Sequence, residues 1–210
     1  MLSILAEYGS EPLPHGFVAA VMPKLNRVLM SSNDEQLLRA TTTAMKNILV
    51  HDYKQLFEWR DNNGKGGLET VLIVVDRLLS PDVDDNAAAE VGGLAAELVE
   101  KAGSERLGPY LMQLLRAVAI RLASATTTQL IQSLTLVFAR LSLHSAHEVI
   151  DFLSQVQIGQ ESALQVVMSK WLEHSINFAG YDAIRQKLVK IKASWNLLIR
   201  SQCHRSVKDS

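Results

Sequence analysis

The stretch "NAAAEVGGLAAELVEKAG", Asn86 to Gly103, decides how this chain folds. Ala87, Val91, Leu94, Ala95, Leu98 and Ala102 recur at helical spacing and make one apolar stripe. Asp84 to Asn86 stand before it as N-cap candidates, and Gly103 follows it as a stop. Gly92 and Gly93 each cost about 1 kcal/mol of helix propensity. Close packing must offset that cost, so the small residues Ala87, Ala88, Gly92 and Ala95 read as places where flanking helices approach.

The same period extends in both directions. Leu68, Val71, Leu72, Val75, Leu78 and Leu79 form the stripe before it, ended by "SPDVDDN". Leu107, Leu111, Leu114, Leu115, Val118 and Leu122 follow, then "SATTT", then Leu130, Leu134, Val137, Phe138 and Leu141. In "GQESALQVVMSKWLEHSINFAGYDAIRQ", Gly159 to Gln186, one side holds Leu164, Val167, Met168, Trp171, Leu172 and Ser175. Lys170, Glu173, His174 and Asn177 fall on the other, so Trp171 is expected in the core and His174 on the surface. Nowhere does a period of two persist. The expected fold class is all-α.

The helices come in pairs, near 15–50, 67–102, 105–142 and 145–178. Second helices are expected to start near residues 34, 86, 126 and 160. These intervals bracket the roughly 40–47 residues of HEAT and armadillo units. The array is expected over 1–182, with a basic C-terminal helix and tail over 183–210. Pro23 is expected to kink the first helix, because proline removes a backbone donor. "HDYKQLFEWRDNNGKGG", His51 to Gly67, reads as a loop-rich insertion. Stacking of pairs follows because an isolated amphipathic hairpin leaves an apolar side uncovered.

Composition narrows the function. Hydrophobic residues make up 48% of the 210 residues, which excludes disorder as the default. The balance of 21 Lys and Arg against 22 Asp and Glu argues against a general nucleic-acid binder. The single Cys203 rules out an internal disulfide framework and fits a reducing compartment. "MLSILAEYGSEPLPH" lacks the basic start of a secretory signal, and no apolar run is long enough to span a bilayer. A soluble intracellular protein is expected.

Candidate chemistry dissolves on inspection. "HSAHE", His144 to Glu148, has two metal-type ligands and a carboxylate but no third protein ligand nearby. "NNGKGG", Asn62 to Gly67, lacks the spacing and the preceding strand of a phosphate loop. Thr126, Thr127 and Thr128 read as a capping run. Cys203 beside His204 is no nucleophile–base arrangement, since the base must face the thiol in space. No enzyme activity, metal or cofactor is expected.

Two charge asymmetries remain. From Asp82 to Lys101, six acids (Asp82, Asp84, Asp85, Glu90, Glu97, Glu100) oppose Lys101 alone. Glu90 and Glu97 are seven apart and are expected on the exposed face of a second helix, an acidic surface for a basic partner. Between Ala183 and Ser210 the sign reverses, with seven Lys and Arg against Asp209.

A family resemblance joins these features. "LRATTTAMKNILVHDYKQLFEWRDNNGKGGLETVLIVVDRLLSP", "VGGLAAELVEKAG", "LMQLLRAVAIRLASATTTQLIQSLTLVFARL" and "ALQVVMSKW…FAGYD" resemble successive HEAT repeats of the karyopherin-β nuclear import receptors. The resemblance runs from about Asp34 to about Arg185. It implies a superhelical solenoid segment whose second helices line a concave, cargo-facing side. It further implies basic protein cargo such as core histones, release governed by the Ran GTPase through the complete receptor, and contact with nuclear pore proteins. Residence in cytoplasm and nucleus follows, with no direct binding of nucleic acid or membrane. Asp84, Asp85, Glu90 and Glu97 would suit basic cargo, while Lys170 and His174 would lie on a later concave face. The family's N-terminal Ran- and pore-binding block and its long acidic insertion have no counterpart here. The rival expectation is a HEAT scaffold subunit of a phosphatase or vesicle coat, in which more regular repeats would stand.

Overall fold

The computed structural model describes residues 12–174. The expected basic helix and tail over 183–210 lie outside them. Seven helices occupy the described residues: α1 (Phe17–Ser31), α2 (Glu35–Glu58), α3 (Gly67–Leu78), α4 (Val91–Leu107), α5 (Pro109–Ser124), α6 (Thr128–Gln155) and α7 (Ala163–His174). A two-residue hairpin, β1 (Gln157–Ile158) with antiparallel β2 (Glu161–Ser162), joins α6 to α7. The fold is all-α, a solenoid of stacked helix pairs. No helix among the described residues is long and apolar enough to cross a membrane.

Each element follows from its sequence. Asp34 caps α2, its carboxylate accepting the Leu37 N–H at 2.7 Å. Pro109 begins α5, where its missing donor costs nothing. Pro23 sits within α1 on an exposed position, and α1 runs unbroken from Phe17 to Ser31 through it. The buried faces (Val18, Met22, Leu25 and Leu29 on α1; Leu38, Met45, Ile48 and Leu49 on α2) interdigitate into a core shared by all seven helices.

Three second helices end alike. Helical geometry is interrupted at one residue, Asp52 (φ −153°, ψ 65°), Gly103 (φ 69°, ψ 171°) and Ser145 (φ −142°, ψ 59°), and then resumes. The expected first helix of the fourth pair, near 145–156, is therefore the part of α6 beyond Ser145. Gly103 occupies backbone space that essentially only glycine reaches.

Two boundaries differ from expectation. The second helix of pair two starts at Val91, five residues later than the sequence suggests. Ala87, Ala88 and Ala89 are all buried. The chain crosses them in turns closed by Ala88 N–H to Asp84 O and Val91 N–H to Ala88 O. Asp84 to Asn86 consequently do not cap α4. The insertion after His51 is also half helical. Asp52 accepts the Gln55 N–H at 3.0 Å and restarts the helix as far as Glu58. Gln55 then ties this segment to α1, accepting the Val18 N–H at 3.0 Å. Only the following residues form a loop, pinned by Asp61 Oδ1, which accepts from Asn63 and Lys65 N–H.

Candidate protein-binding surface

The second helices pack in a row, α2 on α4 and α4 on α6, with α7 against both α6 and α5. The junction between α4 and α6 is the most extensive. Gly92 explains it: a methyl group built there would collide with the backbone carbonyl of Ser133 on α6. Its neighbour Gly93 faces the Lys46 side chain of α2, with Cδ at 3.4 Å from the same kind of added atom. Of the small residues read from the sequence as points of approach, Gly92 is thus one at the α4–α6 junction.

The acidic run has a different fate from the one expected. Asp85 is inserted between pairs. Oδ1 accepts from Arg121 Nη2 at 2.7 Å, and Oδ2 accepts from the Thr126 N–H (2.7 Å), the Thr126 hydroxyl (2.8 Å) and the Thr127 N–H (3.0 Å). Burial pushes its carboxyl up, but the Thr126 and Thr127 hydrogen bonds and the Arg121 charge outweigh that and hold it below the usual carboxylate range. Arg121 is itself 4% exposed and also donates to Val83 O at 2.8 Å. Asp85 therefore caps the start of α6 in place of the threonine hydroxyls, and Thr127 makes no side-chain cap.

Glu97 is buried, contrary to its expected exposure, and pairs with Arg140 of α6. Arg140 also reaches Glu100 at 3.4 Å. Glu90 is half-buried and lies 3.4 Å from Lys46 of α2. Asp84 is exposed, its carboxylate accepting the Asn86 N–H at 2.8 Å. On α7, Lys170 donates to Ala125 O at 2.9 Å, bridging to the α5–α6 connection, and His174 is half-buried at the helix end. Trp171 is in the core as expected, whereas Leu172 is 50% exposed. The six residues do not form one cluster: four belong to the second pair and two to α7. Their partners Lys46, Arg121 and Arg140 escaped sequence reasoning, because each sits on a different helix.

Beside this row a groove of about 360 Å³ opens between the end of α4, the first turns of α5 and α6 around Ser145. Val99, Leu111, Leu115, Val137, Val149 and Phe152 make its apolar floor. Glu100, Arg140, His144 and Glu148 stand on its rim, and Met112, 54% exposed, on its lip. On the other row, α3 and α5 are parted by a second groove of about 500 Å³ lined by Leu72, Ile73, Tyr110 and Leu114. Among the described residues no three His, Cys, Asp or Glu side chains are placed to hold a metal ion, so His144, His147 and Glu148 form no such site.

No family model matches the chain. Individual relatives do. Importin subunit beta-5 of Schizosaccharomyces pombe is 30% identical over 187 residues, 88% of this chain. Its Saccharomyces cerevisiae namesake is 28% identical over 179 residues, 85% of this chain. The chain is homologous to a stretch of the importins. Importin-9 of Drosophila melanogaster agrees, at 26% identity over 182 residues, 86% of this chain. In each case the matched part is only 17–18% of the importin's own length. Matches to three importins across nearly the same share of the chain take in the described pairs as a series, which a single shared helix hairpin would not produce.

Proposed function

We propose that this chain serves as a segment of a nuclear import receptor, working by binding and release without chemistry. The observation that carries the reading is the alignment with importins along 85–88% of the chain. The stacked pairs support it, since a row of second helices offers a long surface built from successive units. In the complete receptor the cargo is a basic nuclear protein, such as core histones, and its release is governed by the GTP form of Ran. Nuclear pore proteins are further partners, and the receptor moves between cytoplasm and nucleus. Of the four acidic residues expected to meet cargo, Asp84 is exposed and Glu90 half-buried, and these two have surface left to offer, with Lys170 and His174 on α7 contributing at a later pair. Asp85 and Glu97 serve the junctions instead.

Titration of the purified chain with core histone dimer at low and moderate salt tests this. Saturable binding that weakens with salt, and weakens further in Asp84→Lys/Glu90→Lys, is the expected result, because exposed charges are screened. Absence of binding by a chain shown to be folded would remove cargo capture from this segment.

A further inference from the structure

The groove at the foot of α4 has chemistry of its own. Its volume of about 360 Å³ lies within the roughly 300–1,000 Å³ of ligand pockets. The floor is apolar and continuous with the core, yet Met112 is left 54% exposed at the lip. On α5 Leu114, Leu115, Val118 and Leu122 are buried, Tyr110 and Ile120 are exposed elsewhere, and Met112 is the exposed apolar side chain that lines this groove. On the rim two carboxylates, Glu100 and Glu148, stand with one guanidinium, Arg140, and the imidazole of His144. Arg140 is already shared between Glu97 and Glu100, and Glu148 is exposed on α6 beyond Ser145. An occupant must therefore bring apolar anchors for the floor and positive charge for the rim.

We propose that this groove is a docking site for an amphipathic basic segment of a partner protein, seated by one or two bulky apolar side chains with Lys or Arg against Glu100 and Glu148. A helix laid into a groove by its apolar face is a recurrent recognition mode, and such anchors carry most of the affinity. The site is separate from the row of Asp84 and Glu90 and does not depend on the import role. Failure of histone dimer to bind would leave it standing.

The test uses a fluorescein-labelled Leu/Lys peptide with its leucines at helical spacing, read by anisotropy against the full chain. Glu148→Lys is compared with Asp82→Lys, an equal charge reversal in the α3–α4 connection, outside the groove lining. Met112→Ser is compared with Ile120→Ser, an equally exposed apolar site on α5 outside the groove. All four positions are exposed, and thermal melts verify that each variant folds. Glu148→Lys and Met112→Ser are each expected to weaken binding about tenfold, with the two controls unchanged. Equal weakening by all four would show nonspecific adhesion, and no weakening by the first pair would place the peptide elsewhere. Either result overturns the proposal.

Discussion

The second helix pair meets its two neighbours by opposite means. Toward the first pair, the outer helices α1 and α3 touch, and the inner helices are linked by Lys46 and Glu90, both about a quarter exposed. Toward the third pair, the inner helices α4 and α6 come together at Gly92 with no room for a side chain, while the outer helices α3 and α5 stand apart across a groove. One residue separates the two environments on α4, Gly92 facing the tight junction and Gly93 the loose one. The difference teaches that cohesion in this array is set junction by junction, by which row of helices is allowed to close.

Several substitutions would break or sharpen that contrast. Asp85→Ala strips the buried Arg121 of its carboxylate and the start of α6 of its cap, and is expected to cost about 3–5 kcal/mol in chemical denaturation. Because the folded-state carboxyl lies below its ordinary value, this contribution is complete above the unfolded value near 4 and lost as pH falls through the folded one. Acid titration should accordingly destabilise the wild type below about pH 4 more steeply than Asp85→Asn. Gly92→Ala is expected to cost about 1–3 kcal/mol or more, since backbone and not a rotatable side chain stands in the way. Gly93→Ala, one residue on, should gain up to about 1 kcal/mol of helix propensity, because only the flexible Lys46 must yield. If the two alanines behaved alike, the contrast between the junctions would fail. Smallest of all, Lys46→Ala should shift stability by no more than about 1 kcal/mol, as for other exposed pairs.

Much of the architecture was legible because burial enforces periodicity: Leu94, Leu98, Leu134 and Phe138 repeat at helical spacing and are fully buried. Ala87 to Ala89 misled because alanine favours helix and carries no mark of the turns that precede Val91. The acidic run was legible as composition and illegible as a surface. Asp85 and Glu97 look like free charges in their own helix pair, and the cations that claim them, Arg121 and Arg140, belong to the next pair. Exposed Met112 was equally hidden, standing beside the apolar stripe of α5 without any mark that it opens onto a groove.

The cross-links between pairs have a consequence for how the chain reaches this state. Arg77 to Ser32, Lys46 to Glu90, Asp85 to Arg121, Glu97 to Arg140 and Lys170 to Ala125 join residues 36 to 45 apart, about one helix pair in each case. Each polar bridge therefore closes a loop of modest and nearly constant length, which keeps contact order low and favours fast formation. In such an array folding can nucleate at any pair and propagate to its neighbours, like a zipper opened at any tooth.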